Sequence, residues 1–420
     1  MIETLSLLPG ITLRCFQDSR FKQGCLSIQF LRVMDRQEAA MNALLPAVLL
    51  RGCKTAPDLR DITLRLDDLY GASVGALVRR VGDYQTTGLH CSFISDRFAM
   101  ENDRVLEWMV AFLKELLLEP VTEKGGFLKS YVNSEKKNLI AAIESRLNDK
   151  RAYAAGRLLE EMCQKDSYGI PRLGEKSAVQ AVTPEALYAH YRQVMTESSV
   201  ELFYVGDAQP QQVAALLTPI FAELERNYVN LPKQTDFRDK AGGNHTETMD
   251  VSQGKLAMGF VTPITLRHEA FAVMQVLNMV LGGGMTSKLF MQVREKRSLC
   301  YDISSGYHGS KGIVTVCAGI DCDKKETVHK EVLAQLEECC KGNITQEELV
   351  AAKEALISSL RGIHDTPGAI EGYYASGVLS GLGLTPAQYM EKVRAVTPEQ
   401  VAQAANSLQL HTVYFLKGEC

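Results

Sequence analysis

Ala181-Val182-Thr183-Pro184-Glu185 recurs 214 residues later as Ala395-Val396-Thr397-Pro398-Glu399, an interval of about half the 420-residue chain. Each copy has the form of a helix start, with Thr as the capping residue, Pro at the first helical position and Glu in the first turn. Each leads through about ten residues of helical pattern into a short apolar strand, Val200–Gly206 in the first copy and Thr412–Gly418 in the second. The parallel extends upstream. Thr122-Glu123-Lys124 and Thr345-Gln346-Glu347-Glu348 each read as the opening of a long amphipathic helix, preceded by shorter helices at Arg104–Glu119 and Glu326–Cys340. Further back, a helix ends in glycine at Gly52 and again at Gly282-Gly283-Gly284. A second helix follows each, ending at Leu69-Tyr70 and at Leu299-Cys300-Tyr301. Two alternating strands come next: Ser73–Val81 with Tyr84–Ile94, and Ile303–Tyr307 with Ile313–Ile320.

The same order of elements twice predicts an α+β protein of two homologous domains, each about 200 residues. Each would be a mostly antiparallel sheet with helices packed on one face. The expected boundaries are 1–224 and 245–420, joined by a polar linker, Glu225–Asn244, that contains Pro232 and two glycines. The competing reading is a single large α/β domain, which would leave the repeated order of elements without a cause.

Composition narrows the function classes. With 46% hydrophobic and 23% charged residues and a net charge of −4, the chain is globular, and no Lys/Arg-dominated stripe marks a nucleic-acid surface. The most apolar stretches, Ala43–Leu50 and Phe271–Leu281, fall well short of the ~20 residues of a membrane span. The N-terminus Met-Ile-Glu-Thr-Leu lacks the pattern of a signal peptide. Eleven cysteines with no Cys-x-x-Cys spacing suggest neither a disulfide framework nor a cysteine zinc site. A reduced, cytoplasmic protein is expected, with no nucleic-acid or membrane partner.

Leu281-Gly-Gly-Gly-Met-Thr-Ser-Lys-Leu-Phe-Met-Gln-Val-Arg-Glu-Lys-Arg-Ser-Leu-Cys-Tyr301 carries the chain's strongest resemblance. It is similar to LGGGMSSRLFQxVREKxGLAY in the C-terminal domain of the M16 (insulinase and mitochondrial processing peptidase) family of zinc metallopeptidases. Asp67-Asp68-Leu69-Tyr70-Gly71-Ala72-Ser73 and Asp166-Ser167-Tyr168-Gly169-Ile170 resemble a bacterial subgroup of two-subunit M16-like proteins, in the member without a metal site. In active members of the family an Arg and a Tyr seven residues apart contact the substrate backbone. The resemblance assigns those roles to Arg294 and Tyr301. Gly282, Gly283 and Gly284 would let a peptide backbone come close.

The metal motif of the family is absent. M16 peptidases bind zinc through His-x-x-Glu-His on a helix, which sets two imidazoles one turn apart beside the general base, and through a Glu on a later helix. The eight histidines here are at 90, 190, 245, 268, 308, 329, 364 and 411, and no two are four residues apart. With Gly52 as anchor, the motif positions fall on Ala43, Pro46 and Ala47, and the later Glu on Ala142, with Glu144 nearby. An interior proline at 46 removes a helix hydrogen bond and is expected to kink the segment.

No substitute chemistry stands out. Gly71-Ala72-Ser73-Val74-Gly75 matches G-x-S-x-G, but a nucleophile elbow needs strand then helix, and the order here is helix then strand. Gly282–Lys288 lacks the ending of a phosphate loop and follows a helix. Cys339-Cys340 lies in an amphipathic helix and reads as core. The resemblance therefore implies a non-catalytic subunit. It would complete a chamber with an M16-like partner that retains His-x-x-Glu-His and carries the zinc, and would hold an extended peptide or precursor peptide. A structural scaffold subunit, or a stand-alone peptide-binding homodimer, is the alternative.

Overall fold

The computed structural model describes residues 2–237 and 242–418. Four residues of the expected linker, 238–241, lie outside them. The chain divides into two compact units, each drawn from three stretches: 1–144, 170–233 and 364–376 in unit 1, and 145–169, 234–363 and 377–420 in unit 2.

Unit 1 is built on β1 (Ile2–Leu8), β2 (Ile11–Gln17), β3 (Gln23–Val33), β4 (Ser73–Val81) and β5 (Tyr84–Ile94). A short hairpin, β6 (Thr122–Glu123) and β7 (Gly126–Phe127), precedes the last strand of the sheet, β8 (Ser199–Gly206). The sheet order is β1-β2-β8-β3-β5-β4, antiparallel except for the parallel β2–β8 pair. Alternation along the strands sends Leu26, Ile28 and Phe30 of β3 into a core with the helices Ala39–Leu49, Val105–Leu118, Pro184–Glu197 and Pro210–Ala222.

Unit 2 carries β9 (Gly243–Met249), β10 (Gly254–Val261), β11 (Asp302–His308), β12 (Ile313–Ile320) and β13 (Gln409–Gly418). Their order is β11-β12-β10-β13-β9, again antiparallel except for the final β13–β9 pair. This is the order β4-β5-β3-β8-β2 of unit 1, so the duplication extends to sheet topology. The helix starts are repeated too. Thr183 accepts a hydrogen bond from Ala186 N, and Thr397 caps its helix reciprocally with Gln400. One expected start differs. Thr122 opens the β6–β7 hairpin rather than a helix, because Lys124 and Gly125 turn the chain at positive φ (51° and 85°) and the helix begins at Lys129.

The expected boundary at 225–244 does not divide the compact units cleanly. Residues up to 233 group with unit 1, where Tyr228 packs over Gly10 and Tyr84 donates to the Pro232 carbonyl. Asn244 already lies in β9. In addition, two segments are exchanged between the halves of the sequence: 145–169 belongs to unit 2 and 364–376 to unit 1. Advancing the helix Lys150–Met162 by the 214-residue repeat interval lands on 364–376, so the exchange is reciprocal.

In unit 2 that helix packs Ala154 and Leu158 against Ala257, Tyr414 and Leu416. Gly259 in mid-β10 leaves the room that Met162 needs, since a Cβ there would stand 2.7 Å from the Met162 sulfur. The segment ends on Asp166, whose carboxylate is 2.9 Å from Lys311 Nζ, with side chains 4% and 0% exposed. Lys311 also donates to the carbonyl and hydroxyl of Thr235, at 3.1 and 3.2 Å. In unit 1, Glu371 is the buried carboxylate, paired with Arg79 of β4 at 2.8 Å.

Breaking a buried pair from one side leaves an uncompensated charge and costs about 3–5 kcal/mol. Lys311→Met is accordingly expected to destabilise the protein by about that amount, measured as a shift of the urea midpoint. Lys311→Met with Asp166→Leu should recover part of the loss.

Candidate functional site

The helix Ala39–Leu49 carries the three motif positions. Ala43 and Pro46 are buried and Ala47 is half-buried. The helix continues through Pro46 to Leu49, and the reason is local. Proline has no N–H for the Asn42 carbonyl four residues back, and Thr87 Oγ1 donates to that carbonyl instead, at 2.7 Å.

The Asn42 side chain extends the same arrangement. Its Nδ2 donates to Gln85 Oε1 at 2.9 Å, and Gln85 Nε2 donates to the carbonyls of Ala39 and Arg172, at 3.1 and 2.7 Å. Asn42 Oδ1 lies 2.7 Å from His190 Nε2, so the neutral tautomer with hydrogen on Nε2 completes the network. Burial holds the His190 imidazole below its ordinary pKa. The sequence hint for this cluster was a single Asn in an otherwise apolar helix.

Ala142 lies exposed on the helix Lys129–Ser145. That helix is tied to the end of the first by Arg51, which pairs with Glu135 and donates to Ser134 Oγ at 2.8 Å. Alanine and proline side chains have no donor atom for a metal, and the nearby carboxylates Glu135 and Glu144 are engaged by Arg51 and Lys176. The zinc of the fold family therefore does not fit these residues. Among the described residues no group of three or more His, Cys, Asp or Glu side chains is placed to hold a metal ion.

In unit 2 the glycine-rich stretch is a π-helical turn, Met279–Gly283, that extends the helix Phe271–Asn278. Wider turns of this kind often mark functional positions. Ser305 of β11 donates to the Asn278 carbonyl at 3.0 Å. The room left by two of the glycines is used by the chain itself. A Cβ at Gly282 would stand 2.8 Å from Ser305 N, and one at Gly283 would stand 2.6 Å from the Met279 sulfur. Gly284 is the open one, with its nearest neighbour at 3.5 Å.

Arg294 follows on a second π-helical segment, Leu289–Lys296, with its guanidinium over the Phe290 ring at 4.6 Å. Its other charged contact is Glu295, at 3.5 Å. Tyr301 stands just before β11, half exposed, and its hydroxyl donates to Asp321 Oδ1 at 2.8 Å. That bond raises the Tyr301 pKa, while Lys324 and Tyr301 together lower that of Asp321. With its hydrogen committed to Asp321, the Tyr301 oxygen presents lone pairs, whereas Arg294 presents N–H donors. The two side chains thus match the two halves of a peptide group.

The remaining candidates have structural explanations. Ser73 begins β4 after the helix Leu59–Asp68, with Tyr70 and Gly71 turning the chain at φ +62° and +69°. Lys288 is buried against Glu348 at 2.9 Å and is not available to a phosphate. Burial pushes the Cys339 thiol to about 12. Asp166 and Tyr168 tie the exchanged segment, through Lys311 and through Tyr168 OH to His308 Nδ1 at 3.2 Å.

The similarity of this chain to known proteins points to the M16 peptidases. The family profile described as "Peptidase M16 inactive domain" matches residues 181–356. A curated relative, "Probable inactive metalloprotease YmfF" of Bacillus subtilis (strain 168), is 29% identical over 409 residues, covering 97% of this chain and 96% of its own. The crystal structure of a conserved protein from Enterococcus faecalis V583 superposes with a TM-score of 0.92 at 27% identity, covering 100% of this chain and 99% of that one. A Pseudomonas fluorescens structure titled as a peptidase M16 inactive domain gives 0.82 at 20% identity, over 100% and 98% of the two chains. The chain resembles the M16 peptidases over nearly its whole length, and its sequence lacks the His-x-x-Glu-His metal motif.

Two outcomes follow. Purified protein should carry no stoichiometric zinc, and chelators should leave its melting temperature unchanged, because no metal contributes to folding. About one tightly held zinc per chain on elemental analysis would contradict this. The second outcome concerns pH. The His190 pKa is depressed below 6.5 in the folded state, so between that lowered value and 6.5 the unfolded chain binds the extra proton. Its contribution is therefore fully present above about pH 6.5 and falls as the solution is acidified below it. His190→Gln should flatten the dependence of melting temperature on pH in that window, relative to the unsubstituted protein.

Proposed function

We propose that this chain is the non-catalytic subunit of a two-chain M16 peptidase. It holds extended peptide and completes a chamber around the zinc of a partner that retains His-x-x-Glu-His. The observation that carries this reading is the outer edge of β11. Among the described residues no strand pairs with it; Tyr301 stands just before its first residue, and the partly exposed Arg294 lies on the helical segment that precedes it. An unpaired strand edge binds extended peptide through backbone hydrogen bonds, with little regard to sequence. The outer edge of β4, which bears the exposed Ser73, Gly75 and Ala76, offers a second such surface in unit 1.

Peptides or a precursor peptide suit this chemistry, because a strand edge recognises backbone that is not already paired. With no metal ligands of its own, the chain contributes binding, and the partner contributes the activated water. The ten described cysteines are all free thiols, which suits a reducing compartment such as the cytoplasm.

The test mixes this chain with an M16-like chain bearing the intact motif, and reads mass by light scattering alongside the peptidase rate. A 1:1 complex is expected, with neither chain efficient alone. Arg294→Ala and Tyr301→Phe should each slow the assembled pair by roughly 5- to 150-fold, the equivalent of about 1–3 kcal/mol in lost hydrogen bonds to bound backbone, without preventing assembly. A metal-bearing chain that is fully active by itself and gains nothing from this one would overturn the reading.

A further inference from the structure

The helix Pro367–Ser380 begins on unit 1, where its grip is narrow. Ile370, Glu371 and Ala375 are fully buried, Tyr373 and Tyr374 are half-buried, and Gly368 and Ser376 are exposed. The apolar part of the contact is Ile370 with Phe16, Cys25 and Val205, flanked by Tyr374.

The rest of the contact is polar. Glu371 Oε1 accepts from Ser27 Oγ (2.7 Å), Gln29 Nε2 (2.8 Å) and Arg79 Nη1 (2.9 Å), and Oε2 accepts from Arg79 Nη2 (2.8 Å). Gln29 Nε2 also donates to Ser27 Oγ at 3.0 Å. A two-pronged guanidinium with two neutral donors beside it is a complete receptor for a carboxylate. It is built on β3 and β4, on the face of the sheet opposite the main core.

The helix that delivers Glu371 is weak on its own account. It contains Gly368, Gly372 and Gly377, and at the first two nothing lies within 4 Å of where a Cβ would stand. Packing does not require those glycines, and each disfavours helix relative to alanine by about five-fold. Lifting the segment would uncover Ser27, Gln29 and Arg79, which water solvates readily, together with the small apolar patch of Phe16, Cys25 and Val205, and would leave the main core covered.

We propose that residues 364–376 form a strap that lifts locally from unit 1, and that the Ser27–Gln29–Arg79 cradle beneath it is a carboxylate site which Glu371 holds closed. An acidic side chain of a bound peptide takes the place of Glu371 when the strap is up. The choice of ligand rests on the peptide-binding reading above, whereas the opening of the strap does not.

Hydrogen exchange on the full chain, read by mass spectrometry, tests the opening. Glu371→Gln should speed exchange of the amides in 364–380 by ten-fold or more while those of β3 and β5 keep their protection. Gly372→Ala should slow the strap by about five-fold. The ligand is tested with an acetylated, amidated peptide of alternating Val and Glu against its Val/Gln counterpart. The Glu peptide should bind Glu371→Gln at least ten-fold more tightly than the Gln peptide does. Loss of β3 protection in step with the strap would make Glu371 an ordinary core tie and overturn the proposal. Equal binding of the two peptides, or of neither, would overturn the carboxylate site. Neither readout uses peptidase activity, so the result is independent of whether a catalytic partner exists.

Discussion

Two carboxylates buried against their counter-ions, Asp166 with Lys311 and Glu371 with Arg79, hold the exchanged segments in place. A charge that has left water must find its partner, and a helix of modest apolar area that carries such a charge has few other docking places. In each unit the cation belongs to the sheet or its turn and the carboxylate to the segment that arrives from the other half of the sequence. The arrangement specifies position more than it adds stability, because desolvation offsets much of the attraction. In unit 2 a second set of charges works in the same sense. Arg157 on the exchanged helix pairs with Glu160 and Glu161 and approaches Glu247 of β9, which also accepts from Tyr153 and Tyr414.

The same logic explains how the helix Ala39–Leu49 accommodates Pro46. A family helix shaped to present imidazoles inward would leave polar backbone unsatisfied once proline replaced one of its residues. Here Thr87 accepts the role of partner to the freed Asn42 carbonyl, and the Asn42–Gln85–His190 chain satisfies the side chains around it. Asn42, Gln85, Thr87 and His190 each find a partner in this network, so the helix is a packed structural element in its own right.

Several strands were legible because period-2 patterning and turn residues are local signals, whereas the order of strands in each sheet was not. Ser73–Val81, Tyr84–Ile94 and Ile313–Ile320 begin and end where the pattern placed them. The repeat of Thr-Pro-Glu was legible because capping is local chemistry. The segment exchange was not, because it depends on Glu371 meeting Arg79 across 292 positions and Asp166 meeting Lys311 across 145, and no local pattern encodes such a meeting. The hairpin at Thr122 was misread because Thr-Glu-Lys is a good helix start until the two following glycines are weighed. At the candidate site, the motif positions could be placed by their spacing from Gly52, but the network around Asn42 joins residues from four distant stretches. Of the three glycines, the sequence could say that backbone must come close, but not that the approaching groups at Gly282 and Gly283 are Ser305 and Met279 of the same chain.

The proposed peptide site in unit 2 rests on binding chemistry. Arg294 offers donors, the Tyr301 oxygen offers lone pairs because Asp321 holds its hydrogen, and β11 offers a row of unpaired backbone groups between β12 and solvent. Peptide backbone is the ligand that uses all three at once, and it does so without reference to side chains. Binding of that kind accelerates a reaction only when it is stronger in the transition state, or when it sets the scissile bond against a catalyst. Ala43, Pro46, Ala47 and Ala142, at the positions expected of the family's metal ligands, offer no donor atom to a metal. On the two-chain reading proposed above, the value of a grip on peptide lies in where that peptide is held relative to the partner's metal.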